Sequence, residues 1–169
     1  MNSFVTFDAE HAAKCELAAE ALQSYGTLRL QVMGRSMLPT IWPGDTLIIE
    51  RIQWAAVSDG DIVLFTRDRR LFAHRLVSHY STPSVARILT RGDSMSTLDP
   101  PLRESDLLGK VSFILRDGKR VKPSKNLRLP QRVVAAMIQR SDLVARIVLR
   151  LHGMFQTSHV ESQYTNVGD

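Results

Sequence analysis

Between residues 46 and 115 the sequence breaks into short apolar runs: Thr46 to Ile49, Asp61 to Phe65, Leu71 to Val77, Val85 to Thr90 and Val111 to Leu115. Turn-forming clusters bound them: Pro43-Gly44-Asp45, Asp59-Gly60-Asp61, Arg67 to Arg70, Thr82-Pro83 and Asp117-Gly118. Runs of this length suit strands, and glycine and proline at the breaks supply the backbone geometry that tight reversals need. Upstream, Thr27 to Val32 sets Leu28, Leu30 and Val32 against Arg29 and Gln31, the alternation of a half-buried strand. The spacing predicts a compact, largely antiparallel β domain over residues 26–122. No repeat, GxGxxG or P-loop signature interrupts it.

Helical elements flank this domain. Residues 8–24 are rich in Ala, Glu and Leu and predict a helix of about four turns, ended by Tyr25-Gly26, in an N-terminal segment 1–25. After Pro123 the alternation stops, and residues 123–155 form a basic connector followed by an amphipathic helix. At 100° per residue, Arg132, Gln139, Arg140, Asp142, Arg146 and Arg150 share one arc of the stretch 131–155. Val133, Met137, Ile138, Val144, Val148, Leu149 and Phe155 share the other. The polar tail 156–169 is expected to be disordered. The predicted fold is therefore mainly β, with an N-terminal helix and a C-terminal basic amphipathic helix.

Composition excludes several classes. With 169 residues, 44% apolar and 23% charged, the chain suits one globular domain with accessory elements rather than a disordered or fibrous protein. One cysteine, Cys15, cannot close an intrachain disulfide, and a Cys/His zinc site would be short of thiolates, so neither metal nor cofactor is expected. The longest apolar stretch of the C-terminal third, Val133 to Ile138, is far below the roughly 18–20 residues of a membrane span. Asp8, Glu10, Lys14, Glu16 and Glu20 leave no apolar core for a secretory signal, which makes a cytoplasmic location the expectation.

Charge is unevenly spread. Residues 1–102 hold 10 Lys/Arg against 11 Asp/Glu, residues 103–152 hold 12 against 4, and residues 153–169 hold 0 against 2. The positive segment favours an anionic surface. Peripheral contact with an anionic membrane through 131–155 is one expectation, and packing on the β domain with a solvated basic face is the other. Nucleic acid is disfavoured, because the segment has few aromatics for base stacking. The oligomeric state is open.

The chemistry-bearing stretch is Gly34-Arg35-Ser36-Met37-Leu38-Pro39-Thr40, where a strand gives way to a proline-restrained loop. A hydroxyl presented there is suited to nucleophilic attack if a base reaches it, although a lone loop serine is more often a turn former. His74 shares a strand face with Phe72 and Leu76, a position equally suited to a core histidine. Asp93 and Asp99, six residues apart after a strand end, offer carboxylates that can orient an imidazolium. Each alone would pass as a turn residue.

In order along residues 28–116, the run from Gly34 to Asp45, the segment Gly60 to Phe65, His74-Arg75, Arg91-Gly92-Asp93 with Asp99, and Leu108 to Val111 resemble the type I signal peptidase family and its relatives. No lysine lies between Lys14 and Lys110, so the resemblance points to the archaeal and endoplasmic-reticulum type, which uses histidine followed by arginine. It implies Ser36 as nucleophile, His74 as general base and Asp99 as third member, with Asp93 supporting the loop or competing for that role. Backbone N–H groups of Gly34, Arg35 and Ser36 would meet the oxyanion, and Met37 and Pro39 would contact substrate. Gly34, two residues before Ser36, looks more like the self-cleaving repressor and mutagenesis-protein peptidases, which share the fold but use lysine. Signal peptidases normally carry an N-terminal membrane-spanning helix, and the 35 residues before Ser36 form none.

The expected function is a serine endopeptidase that cleaves a leader or precursor peptide by a Ser-His-Asp mechanism. Two alternatives stand beside it. One is a catalytically silent module binding a peptide or partner, which requires Ser36 and His74 to be too far apart to hydrogen-bond. The other is self-processing, for which Ala19-Glu20-Ala21 is a small-x-small candidate site.

Overall fold

The structure, a computed structural model, describes residues 3–82, 85–127 and 129–140. Helix α1, Ser3–Tyr25, leads into seven strands: β1 Thr27–Gln31, β2 Thr46–Glu50, β3 Ile62–Arg67, β4 Arg70–Thr82, β5 Val85–Arg91, β6 Leu107–Arg116 and β7 Lys119–Val121. Helix α2, Leu129–Arg140, follows. The strands form one antiparallel sheet in the order β1-β2-β6-β3-β4-β5, with β7 paired to β6. The fold class is thus mainly β with a helix at each end, as the sequence implies.

β3 sits inside the sheet, and both of its faces are covered. Ile62 and Leu64 join Leu22 of α1, Met37, Ile41, Leu47, Ile49, Val111 and Ile114 in one core. Val63 and Phe65 join Val57, Leu76, Ile88 and Leu102 in a second. This explains why Ile62–Phe65 reads as an uninterrupted apolar run and β1 as an alternating one. Two glycine-containing reversals rest on positive φ, at Gly60 (85°) and Gly118 (73°), which a side chain would strain. Gly118 lies in the turn that adds β7, a strand too short and too polar to leave a sequence signal.

α1 is held by Cys15, Ala18 and Leu22, buried residues three and four apart on one face. Among the described residues none of α2 except Ala135 is buried, and Leu129, Val133 and Met137 stand exposed on it. The expected continuation of this helix to 155, and the tail 156–169, lie outside the described residues. No helix among the described residues is long and apolar enough to cross a membrane.

Candidate active site

β1 runs out at Gln31 and the chain turns through Gly34–Ile41, where hydrogen bonds from Leu38 N to Arg35 O (3.2 Å) and from Ile41 N to Met37 O (3.0 Å) wind it tightly. The Leu38–Pro39 peptide is cis. Met37, Leu38 and Ile41 are buried and anchor the loop from below, leaving Ser36 half-buried at its edge. Asp45 closes the loop: its carboxylate accepts Trp42 N at 2.7 Å and Arg116 Nη2 at 2.6 Å, and Arg116 also reaches Thr40 O.

β3–β4 register puts His74 opposite Val63, on the face that carries Phe65 and Phe72. Its ring is buried and makes an edge contact with Phe65 at 5.8 Å between centroids. The two ring nitrogens point in opposite directions. Nε2 lies 2.9 Å from Ser36 Oγ, and Nδ1 lies 2.7 Å from Asp99 Oδ2. Thr90 Oγ1 donates to the same Asp99 oxygen at 2.7 Å, and Asp99 N donates to Thr90 O at 2.8 Å. Burial pushes the Asp99 carboxyl up, but hydrogen bonds to His74 and Thr90, with the charges of His74 and Arg67, outweigh it and hold it below the ordinary carboxylate range. A charged Asp99 favours the proton on Nδ1, which leaves Nε2 as an acceptor for a hydrogen bond from the Ser36 hydroxyl.

The structure separates the two aspartates. Asp99 meets the imidazole, whereas Asp93 is buried against Arg75 and Thr40 and does not touch His74. Arg75 fixes its guanidinium on both Asp93 oxygens and spans to the carbonyls of Gly60, Ser124 and Lys125. The adjoining loop then grips the nucleophile from behind: Ser94 N and Oγ both donate to Ser36 O at 2.9 Å. A Cβ on Gly92 would lie 2.6 Å from that carbonyl, so only glycine lets the loop come this close. Sequence reasoning missed Thr40, Thr90, Gly92 and Ser94 as parts of the site. The motif block Arg91-Gly92-Asp93 contains one of them, Gly92, and the acid and base that stand beside it and beside His74, Asp93 and Arg75, are natural partners that signal the joining of loop and strand.

Ser36 and His74 open onto a cavity of about 660 Å³. Its walls are apolar along Leu30, Val32, Met37, Leu71 and Phe72, and Gly34 also borders it. Of the expected substrate contacts Met37 lines this cavity and Pro39 does not; Arg35 is exposed outside it and its carbonyl accepts Ser94 Oγ. His11 and Lys14 of α1 border the cavity too. Ala19 lines a separate cavity of about 510 Å³ with Leu22, Arg51 and Trp54, away from Ser36. Among the described residues no group of three or more His, Cys, Asp and Glu is placed to hold a metal ion.

A model of the Peptidase S24-like family matches residues 3–112. A comparison with curated proteins gives no match. The family match overturns the assignment to histidine-type signal peptidases: it points to repressor-type self-cleaving serine peptidases, which pair the serine with a lysine. The expected signal-peptidase-like endopeptidase, cutting leader or precursor peptides by a Ser-His-Asp mechanism, is corrected with it, and of the readings above self-processing agrees better. The reason for the error is physical. Gly-Asp turns and the Ser-Met-x-Pro loop build the shared β fold and so do not discriminate between its users, while Gly34 was the residue that did. The matched span includes α1, Ser36, His74, Asp93 and Asp99 and exceeds half of the sequence, and on it the chain belongs to the Peptidase S24-like family.

Proposed function

We propose that this protein is a self-processing serine peptidase, with Ser36 as the nucleophile acting on a peptide bond of its own chain. The observation that carries the reading is the 2.9 Å hydrogen bond between Ser36 Oγ and His74 Nε2 at the mouth of an apolar cavity. It also disfavours a silent module, which predicts these two groups to be apart. A serine hydroxyl does not ionise at neutral pH, so attack on a carbonyl carbon needs an acceptor for its proton at hydrogen-bond distance. In our reading His74 Nε2 is that acceptor, a departure from the lysine that the family pairs with its serine. The proton then passes to the departing amine, and water cleaves the acyl-serine ester by the reverse route.

Lys14 supports a second assignment of the acceptor, because it borders the same cavity and the family chemistry is that of a lysine. The two assignments are separated by labelling Ser36 with a serine-directed phosphonate and reading the modified residue by mass spectrometry. Our reading expects labelling of the wild type, none in Ser36→Ala, a strong loss in His74→Ala and retention in Lys14→Met. Labelling that survives His74→Ala and fails in Lys14→Met gives the role to Lys14. Failure to label Ser36 in the wild type contradicts the peptidase reading itself.

A further inference from the structure

The geometry points to the Ala12–Ala13 bond of α1 as the bond that this site cuts. The inference rests on the self-processing reading and names its substrate segment. A self-cleaving peptidase must bring part of its own chain to the nucleophile, and among the described residues outside the β domain it is α1 that borders the Ser36 cavity, through His11 and Lys14. Between those two residues stand Ala12 and Ala13. The small-x-small stretch Ala19 to Ala21 is not so placed, since Ala19 faces the other cavity and its neighbours Ala18 and Leu22 are buried in the helix–sheet contact.

A helical peptide cannot enter a protease site as such, because a scissile carbonyl must be freed from its own helix ladder and laid out extended. α1 is built to allow this at one end. Among residues 11–25 of α1, whose burial is described, Cys15, Ala18 and Leu22 are buried and pin the C-terminal half. Ala13 and Lys14 are exposed and Ala12 is half-buried. A helical turn propagates with an equilibrium constant of only about 1–1.6 per residue, so the turn at residues 12–14, which carries none of these buried anchors, can open while the pinned half stays in place. Extended, the three-residue link from Cys15 back to Ala12 reaches about 10 Å, about twice its helical length. Of the two alanines Ala12 is the less exposed, and its methyl asks little room of the cavity wall formed by Val32, Met37 and Phe72.

In the step itself, Ser36 Oγ bonds to the Ala12 carbonyl carbon, its proton goes to His74 Nε2, and the Ala12–Ala13 C–N bond breaks as that proton passes to the Ala13 nitrogen. Water then hydrolyses the ester, releasing residues 1–12 with a free carboxylate and restoring the serine. The product begins at Ala13.

The test incubates the full chain at pH 8 and follows intact mass and the new N-terminus over time for wild type, Ser36→Ala and Ala12→Trp, with phosphonate labelling of Ser36 in parallel. The inference expects a species beginning at Ala13 in the wild type only, with Ala12→Trp lowering its rate at least tenfold while labelling as fast as wild type. A Ser36-dependent fragment beginning at any other residue overturns the choice of bond and leaves self-processing standing. No fragment from a protein whose Ser36 labels also overturns the inference; no fragment and no labelling overturn the underlying reading as well. A fragment at Ala13 that persists in Ser36→Ala overturns the inference, because the cut is then not made by this site.

Discussion

Arg75 holds Asp93 with two parallel hydrogen bonds of 2.7 Å, Nε to Oδ1 and Nη2 to Oδ2, one residue along the strand from His74 and one from Gly92 in the loop that grips Ser36. The pair fastens the strand of the proposed base to the loop of the nucleophile, and its carboxylate is almost fully buried. A planar guanidinium meets a carboxylate in this two-point way and an ammonium does not. Asp93→Asn leaves Arg75 without its counter-charge, and we expect a loss of about 3–5 kcal/mol in unfolding free energy by chemical denaturation. Arg75→Lys is expected to destabilise as well, despite keeping the charge. A variant at either position with wild-type stability would show that the clamp is not structural.

Gly92 has a different task. Gly92→Ala places a methyl 2.6 Å from the Ser36 carbonyl oxygen, so either the loop or the nucleophile must shift. The expected cost is about 1–3 kcal/mol of stability, with slower phosphonate labelling of Ser36. Unchanged labelling would mean that the displacement is absorbed away from the serine.

Thr90 and the His74 imidazole both bond to the same oxygen of Asp99. Thr90→Val removes one of the two hydrogen-bond donors to Asp99 Oδ2 and keeps the side-chain shape. Because Asp99 is held low in pKa partly by that bond, its loss is expected to raise the carboxyl pKa and to shift the acid limb of the labelling rate to higher pH. Asp99→Asn is expected to lower the labelling rate by roughly 10²–10⁴-fold by removing the charge that sets the tautomer. A pH profile that does not move in Thr90→Val contradicts this role.

Acid stability follows from two depressed carboxyls. Asp61 is pushed up by burial but pulled lower by the hydrogen bond to Lys110, the Ser58 backbone N–H and the charges of Lys110 and Lys125; Asp99 is lowered as described. A carboxyl with a folded pKa below its unfolded value of about 4 contributes stability above that value and loses it as pH falls through the folded pKa. Unfolding free energy is therefore expected to be level above about pH 5 and to drop below about pH 4. Asp61→Asn flattens part of that drop, which a pH series of denaturant melts measures.

Much of the fold was legible because the sheet is built from runs whose length and bounding turns admit little else. The register that sets Val63 opposite His74 is a matter of tertiary pairing, and no local pattern encodes it. At the site, Ser36, His74 and Asp99 were nameable from the order of motif blocks, and the choice between Asp93 and Asp99 was left open because both follow the same strand. The structure places Asp99 2.7 Å from the ring and pairs Asp93 with Arg75. The family is not legible because the two signals conflict: the stretch between Lys14 and Lys110 has no lysine, and the glycine at position 34 resembles the lysine-using peptidases. The reach of α1 to the cavity was not legible at all, since His11 and Lys14 look like ordinary polar residues of an exposed helix until the sheet edge is set beside them.

The most direct test of the account is the rate at which a serine-directed phosphonate modifies Ser36 in the wild type, His74→Ala and Lys14→Met, each first shown to be folded by its denaturant melt. The account predicts that His74→Ala slows modification by roughly 10²–10⁴-fold and that Lys14→Met leaves it within about threefold of the wild type. Wild-type modification rates in His74→Ala would contradict it, because the 2.9 Å contact between these two side chains would then carry no proton.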